Sequence, residues 1–293
     1  MTSDVILNPE LAALSRIVVL AALTIYSIAF LVLSFGLVRK VSEGKTNKLA
    51  NRLEVVGLSL MGLGVVIHFV GVLTRGIAAS RVPWANMYEF SITGSFVVTF
   101  IYLIAVLFKD IRFIATFVSG FVVLIIGSAN TLFYVQVESL MPALQDYWLV
   151  IHVSVAILAT AFFMIAAALA ALLIAKSGKK EGKFLKIFPE VAKLEKLSYQ
   201  FNIIGFILWS FTLIAGAIWA DKAWHRFWGW DTKEVWTFII WTIYAAYLHA
   251  TTTRGWEGKK AAWLTLIGFT AILFNFTIVN LFFKGLQDRK STR

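Results

Sequence analysis

Residues 148–175 read WLVIHVSVAILATAFFMIAAALAALLIA, a run of apolar residues without one charged side chain. A helix that crosses the hydrocarbon core of a bilayer needs about 20 consecutive apolar residues. Because no water in that core can bond to the backbone, such a segment must satisfy its own N–H and C=O groups as a helix. The stretch therefore predicts a membrane-spanning helix, with His152 near its start.

The composition of the whole chain agrees with a membrane protein. Of its 293 residues, 59% are hydrophobic and 15% are charged, and the mean hydropathy is +0.80. Soluble domains carry about 25% charged residues, so a soluble enzyme, a disordered chain and a fibrous repeat are excluded. The chain has no cysteine, which excludes a disulfide, a thiolate metal site and thiol chemistry of its own.

Reading for further apolar runs gives eight predicted spans and no internal sequence repeat. The spans are Ile17–Val38, Val55–Leu73, Ile92–Phe108, Phe113–Tyr134, Trp148–Ala175, Ile203–Ala220, Val235–Ala250 and Ala261–Phe283. None of them contains Asp, Glu, Lys or Arg, which disfavours an ion channel or ion transporter. We expect an all-α transmembrane helical bundle of about eight spans that forms a single integral membrane domain over residues 1–293.

The basic residues indicate an orientation. Of the 27 Lys and Arg, 17 lie in segments 39–52, 109–112, 176–200 and 251–260, which share one side if the spans alternate. The positive-inside rule places that side, including a Lys-rich loop at 176–200, in the cytoplasm and both termini outside. Residues 1–15 lack the basic region of a signal peptide, so we expect the first span to stay in the membrane. The net charge of +11 is then a topology and lipid signal, and nucleic-acid binding is disfavoured.

A tryptophan-rich segment lies between the sixth and seventh predicted spans. It reads WADKAWHRFWGWDTKEVW over residues 219–236 and holds five of the 11 tryptophans. These are Trp219, Trp224, Trp228, Trp230 and Trp236. One interpretation is an interfacial belt, in which indole rings lie at headgroup level. The other is an apolar platform for a planar ligand at the extracytoplasmic surface, which five indoles in one segment favour.

The chain has four histidines, and imidazole is a common ligand of haem iron. His152 and His249 fall inside predicted spans, where a histidine is costly and indicates function. Each could instead be a packing residue bonded to a neighbouring helix. For His68 the packing interpretation is favoured. His225 lies in the tryptophan-rich segment, where a solvated loop histidine is the simpler interpretation.

At these residues the chain resembles the system II cytochrome c biogenesis proteins called CcsA or ResC. The strongest element is the WWD-type motif WHRFWGWDTKEVWTFIIWTIYAAYLH at 224–249. RVPWANMYEF at 81–90 and YWLVIHVSVAIL at 147–158 agree with it. The DTKE and NMYEF sequences fit this family better than the system I haem-delivery proteins, which also carry a WWD segment.

The resemblance implies haem handling and export. Haem b is held at the extracytoplasmic face and delivered to apocytochrome c, whose cysteine thiols add to the haem vinyl groups. A CcsB/ResB-type membrane protein is the implied partner, and only the pair acts as a cytochrome c synthase. The implied location is a bacterial plasma membrane, with the thylakoid membrane as the alternative. A haem exporter or a system I-like delivery protein without synthase activity is the alternative function.

The resemblance also implies site residues, with no catalytic residue in this chain. His152 is implied as an axial ligand of the displayed haem, and His249 as half of an inner haem site that the partner completes. The implied haem-binding residues are His152, His249, Trp219, Trp224, Trp228, Trp230, Asp231, Trp236, Arg226 and His225, with iron ligands His152 and His249. Where the family has a second external histidine this chain has Gln287, and His225 replaces a usual glycine, so His225 is a candidate replacement ligand.

The charged residues near the motifs could bind a ligand or could have a structural role. Cationic side chains of the segment could neutralise haem propionates; they are Lys222, Arg226 and Lys233. Asp231 and Glu234 would repel propionates, so we expect them to fix the shape of the segment or to cap the next helix. Arg75 and Arg81 could pair with carboxylates of a bound ligand or cap helix ends.

Overall fold

The structure is a computed structural model that describes residues 8–140, 144–178, 182–253 and 255–282. Within those ranges it is helical and has no strand. The helices are α1 (Pro9–Glu43), α2 (Lys48–Ala79), α3 (Met87–Phe108), α4 (Ala115–Leu132), α5 (Tyr147–Lys176), α6 (Lys183–Lys186), α7 (Val191–Trp224), α8 (Thr232–Thr251), α9 (Lys259–Phe274) and α10 (Asn280–Phe282). A π-helical segment, Asn275–Val279, joins α9 to α10.

Within the described ranges, seven helical stretches are long and apolar enough to cross a membrane, so the chain is a multi-pass membrane protein. Each overlaps one of the predicted spans, and the all-α transmembrane class is confirmed. The predicted span 235–250 is helical, as part of α8, but it is not among the seven. Its threonines, tyrosines and His249 make α8 less apolar than the others.

The helices extend beyond the apolar runs that predicted them. α1 has 35 residues, or about 52 Å at about 1.5 Å per residue, whereas the bilayer core is about 30 Å thick. α7 begins at Val191, inside the predicted Lys-rich loop 176–200, so that loop is shorter than predicted. The predicted orientation and the extracytoplasmic termini remain predictions.

The helices form two compact units. Unit 1 contains α1–α4 and α6, and unit 2 contains α5 and α7–α9. In unit 1, α1 packs along α2 and against α4, and α3 packs against α2 and α4. In unit 2, α5 packs along α7 and against α9, and α8 packs against α7 and α9. The four long helices of each unit therefore pack against one another in the same pattern, although no repeat is evident in the sequence.

Glycines at a spacing of seven residues allow α1 to approach α2 closely. A methyl group at Gly64 or Gly71 would come within 2.6 or 2.7 Å of a side chain of α1. The side chains that fill these positions are Tyr26 at Gly64, Val19 at Gly71 and Leu33 at Gly57. Small residues at such spacing are typical of packed transmembrane helices.

The core of unit 2 fixes α7 beside α8. Phe163 of α5 stacks on Tyr244 of α8 with ring centroids 3.6 Å apart. The Trp209 indole donates to the Thr237 carbonyl (3.1 Å), and the Trp241 indole donates to the Ser210 hydroxyl (2.9 Å). These bonds join the middle of α7 to the first half of α8, and the two helices flank the tryptophan-rich segment.

Candidate functional site

The irregular part of the tryptophan-rich segment is only residues 225–231, which we call the Trp turn. Trp219 and Trp224 lie in the last turns of α7, and Trp236 lies in the second turn of α8. The prediction of a loop over 219–236 was wrong in extent. Alanine, lysine and tryptophan are compatible with a helix, so α7 continues until a residue adopts the left-handed conformation.

That residue is His225, which ends α7 with φ 55° and ψ 38°. Its backbone N–H donates to the Asp221 carbonyl (2.8 Å), and its side chain is exposed. Glycine is the residue that adopts this conformation most easily at the end of a helix. The geometry therefore gives a physical reason for the glycine that the resemblance implies at this position.

Two acidic side chains shape the Trp turn and cap α8. The Asp231 carboxylate accepts the Glu234 N–H (2.8 Å), and the Glu234 carboxylate accepts the Asp231 N–H (3.3 Å) in a capping box. Glu234 also accepts the Gly229 N–H (2.6 Å). The expectation that both acids fix the shape of the segment is confirmed. Trp230, just before the cap, has φ 57° and an indole that is 77% exposed.

The indoles do not lie in one plane. Trp228 and Trp230 meet edge to face with centroids 5.8 Å apart and an interplanar angle of 89°. Trp219 and Trp224 form a second such pair at 6.5 Å and 79°. Trp236 instead packs on Phe274, with centroids 4.5 Å apart. The segment offers separate indole faces rather than one flat platform.

Arg226 has a hydrogen-bond donor that no described residue accepts. Its guanidinium packs against the backbone of Gly229, where any larger residue would displace it. Its Nη2 is buried and makes no hydrogen bond with a described residue. Lys222 is exposed and Lys233 is half-buried. A guanidinium donor without a described partner, four residues before the exposed Trp230, is suited to a carboxylate on an aromatic ligand.

His152 is positioned by α7. Its Nδ1 lies 2.9 Å from the Thr212 carbonyl oxygen. Because a carbonyl oxygen only accepts, Nδ1 carries the proton and Nε2 keeps its lone pair. No hydrogen bond to Nε2 exists within the described ranges. Gly216 makes room for the ring, since a methyl group there would come within 2.8 Å of the imidazole.

This arrangement places an imidazole within one turn of Trp219 along α7. Gly216 precedes Trp219 by three residues, about 4.5 Å along α7. Metal-binding histidines commonly donate from one ring nitrogen to a carbonyl and bind metal through the other. His152 therefore has the hydrogen-bond pattern of a metal ligand.

The structure does not bring His249 to the same place. It lies 15 residues after Glu234 on α8, or about 22 Å along the helix, and its side chain is exposed. Thr242 and Ala246 share that exposed face. The described residues contain no group of three or more His, Cys, Asp or Glu that could hold a metal ion. Gln287 lies outside the described residues.

Arg75 and Arg81 are paired within unit 1. Both donate to Glu89, through Arg75 Nε at 3.0 Å and Arg81 Nη1 at 2.6 Å. Arg75 Nη2 also donates to the Val135 carbonyl (3.0 Å). Glu89 was not predicted as a buried ion-pair partner. Its position three residues after Asn86, which caps α3, was the available signal.

His68 is fully buried, as the packing interpretation predicts. Its ring meets Tyr26 and Phe96 edge on, with centroids 5.8 and 5.9 Å away. The Ile92 backbone approaches the imidazole, but outside normal hydrogen-bond geometry. The ring is enclosed by aromatic side chains of unit 1, remote in sequence from the Trp turn.

Comparison with known proteins identifies relatives that match most of this sequence. Residues 84–287 match the family described as cytochrome C assembly protein. The cytochrome c biogenesis protein CcsA of Prochlorococcus marinus is 31% identical, over 91% of this chain and 92% of its own length. The CcsA of Chlamydomonas reinhardtii is 30% identical, over 78% of this chain and 67% of its own length.

The fold has a solved counterpart. The cytochrome c heme lyase CcmF matches with a TM-score of 0.70 and 16% identity. The match covers 91% of this chain and 46% of that protein, so at this identity it shows the fold alone. The sequence matches carry the assignment: the chain belongs to the cytochrome c assembly protein family, among the CcsA/ResC proteins of cytochrome c biogenesis.

Proposed function

We propose that this chain holds haem b at the Trp turn and delivers it to apocytochrome c for covalent attachment. The observation that carries the proposal is the His152 imidazole. Its Nδ1 donates to the Thr212 carbonyl, so Nε2 presents an unprotonated lone pair beside the last turns of α7. A neutral imidazole nitrogen is the usual axial ligand of haem iron.

The neighbouring side chains suit the rest of the ligand. Haem has two apolar faces and two propionates. Burial of apolar surface against indoles contributes about 25 cal/mol per Å². Trp230 is exposed, so a ligand can bury its indole. The unused N–H of Arg226 can donate a charge-assisted hydrogen bond to one propionate. Glu234 and Asp231 do not oppose this, because their carboxylates bind backbone N–H groups.

His152 is the proposed iron ligand whose ring is held in place, by the Thr212 carbonyl of α7. His225 is the candidate for the second ligand within this segment, but its side chain is exposed and its backbone caps α7. An open sixth position would suit delivery, since the acceptor protein could supply its own ligand. His249, about 22 Å away along α8, would belong to a separate inner site that a CcsB/ResB-type partner completes.

The chain contributes binding and orientation rather than acid–base or nucleophilic chemistry. When bound, haem supplies the vinyl groups that the cysteine thiols of apocytochrome c would attack. His152 orients the ring through iron, and the indoles exclude water from its faces. Holding two reactants in place lowers the entropic barrier to their reaction. Synthase activity would then belong to this chain and its partner together, in a bacterial plasma membrane or a thylakoid membrane.

The test is haem content and visible spectrum of the purified protein, alone and with its partner. We expect His152→Ala and His249→Ala each to change the spectrum, because each removes a proposed iron ligand. Added imidazole should restore the His152→Ala spectrum by filling the vacated position. His68→Phe is a matched control, since His68 is enclosed in unit 1.

Two outcomes would contradict the proposal. An unchanged spectrum in His152→Ala would remove the iron ligand on which it rests. Thioether formation with apocytochrome c is the second readout. Normal haem binding by the complex without a thioether product would favour a haem exporter without synthase activity.

A further inference from the structure

A cluster of buried charges lies where α1 begins, α2 ends and α3 begins. We call it the arginine cluster and define it by Arg16, Arg75, Arg81 and Glu89. The side chains of Arg75 and Glu89 have no exposed surface, and that of Arg81 is 12% exposed. Three positive charges therefore share one negative charge. No other acidic side chain of the described residues forms an ion pair with the cluster.

Glu89 is already saturated with donors. It accepts from Arg75 Nε (3.0 Å), from Arg81 Nη1 (2.6 Å) and Nη2 (3.2 Å), and from the Ala85 N–H (3.0 Å). A carboxylate has about four acceptor positions. It has none left for Arg16 or for the remaining N–H groups of Arg75.

Several buried donors of the cluster and its surroundings have no acceptor among the described residues. They are Arg75 Nη1, Arg81 Nε, Arg16 Nε, the Tyr88 hydroxyl and the Trp84 indole nitrogen. Tyr88 is fully buried and Trp84 is 8% exposed. A buried N–H or O–H without an acceptor is destabilising, more so on a charged group. Five such donors and a surplus of positive charge indicate a missing acceptor with negative charge.

Two tyrosine rings link Arg16 to Arg75. The Arg16 guanidinium lies 3.9 Å above the Tyr134 ring. The Tyr134 ring meets Tyr88 with centroids 5.1 Å apart, and the Arg75 guanidinium lies 5.2 Å from the Tyr88 ring. Arg16 is half-buried and makes no ion pair with a described residue, so its charge is available to a ligand.

We propose that the arginine cluster binds the phosphate of an anionic phospholipid. Phosphate oxygens only accept hydrogen bonds, and guanidinium groups bind them in pairs. Arg75 lies four residues before the end of α2, and Tyr88 lies in the first turn of α3. The ends of spanning helices lie at the depth of lipid headgroups. The site is separate from the proposed haem site and does not depend on it.

The experiment uses the full-length purified chain and measures thermal unfolding with added lipid. Phosphatidylglycerol, phosphatidylcholine and inorganic phosphate are titrated separately. We expect phosphatidylglycerol to raise the unfolding temperature at concentrations about tenfold lower than phosphatidylcholine. R16Q should weaken the phosphatidylglycerol response about tenfold and leave the phosphatidylcholine response unchanged. R16K, which keeps the charge, should restore part of it.

R39Q is the matched control, because Arg39 also lies on α1 but is exposed and pairs with Glu43. Equal phosphatidylglycerol responses in R16Q and R39Q would overturn the proposal. Equal responses of the wild-type chain to both lipids would overturn it as well. A response to inorganic phosphate as strong as that to phosphatidylglycerol would replace the lipid with a free anion. Haem content serves as a separate readout and should not change in R16Q.

Discussion

The turns at the end of α2 and at the end of α7 have the same plan. α2 ends at Ser80 and α7 ends at His225, both in the left-handed conformation. An arginine follows each, as Arg81 and Arg226. Six residues after the left-handed residue comes the cap of the next helix, and three residues later a glutamate. The caps and glutamates are Asn86 with Glu89 for α3, and Asp231 with Glu234 for α8.

The two glutamates differ in what they bind. Glu89 is fully buried and accepts from two arginines, so Arg81 is held by the protein. Among the described residues, Glu234 accepts from backbone N–H groups alone, those of Gly229 and Asp231. Arg226 therefore keeps an unused donor. In unit 1 the arginine of the turn is ion-paired with the glutamate of the same turn, whereas in unit 2 the arginine forms no ion pair with a described residue.

Removing the charge of each glutamate tests this difference and gives the largest expected effect. Glu89→Gln leaves Arg75 and Arg81 without their counter-ion in a buried site. We expect the free energy of unfolding to fall by about 3–5 kcal/mol. Glu234→Gln keeps an acceptor oxygen for backbone N–H groups, so we expect a loss of about 1 kcal/mol. Unfolding in mixed detergent micelles measures both, and equal losses would show that the two turns do not differ as described.

A methyl group at Gly216 tests whether haem binding in unit 2 depends on the position of the His152 imidazole. Gly216→Ala puts a carbon within 2.8 Å of His152, so the ring must move away from the Thr212 carbonyl. We expect a shifted haem spectrum and about tenfold weaker haem binding, with helix content retained. Overpacking of this kind typically destabilises by about 1–3 kcal/mol.

Gly127→Ala is the matched control for this change. Gly127 lies within α4, and a methyl group there would meet nothing within 4 Å. It should leave haem binding unaltered and raise helix stability by about 0.5–1 kcal/mol. If Gly216→Ala behaved in the same way, His152 would not be held by α7 as the structure indicates.

The apolar runs predicted the spanning helices because membrane helices need long uninterrupted apolar stretches. The same rule made most of the predicted spans shorter than the helices that they overlap, because it stops at charged residues. Arg16, Arg75 and Glu89 lie outside the predicted spans, yet all three are inside helices, because helices continue through polar residues once the chain reaches the headgroup region. The buried ion pairs were therefore missed.

The candidate site was predicted in part. Spacing and residue type identified the tryptophans, His152 and the capping role of Asp231 and Glu234. The angles between indoles depend on contacts such as Trp236 with Phe274, which comes from α9 and has no signal in local sequence. The matching turns were also hidden, because 80–89 and 225–234 share only an arginine and a glutamate at equivalent places. Their common plan is a backbone property.

The smallest expected effect concerns the left-handed residues that begin the two turns. A left-handed residue other than glycine costs about 1–2 kcal/mol, so His225→Gly and Ser80→Gly should each stabilise the protein by about 1 kcal/mol. Both are measured by unfolding in mixed detergent micelles. If His225 serves only to end α7, the haem spectrum of His225→Gly will match that of Ser80→Gly and of the wild-type chain. A spectral change confined to His225→Gly would instead make its imidazole an iron ligand. The Trp turn would then differ from its counterpart in two side chains, His225 and Arg226, rather than in one.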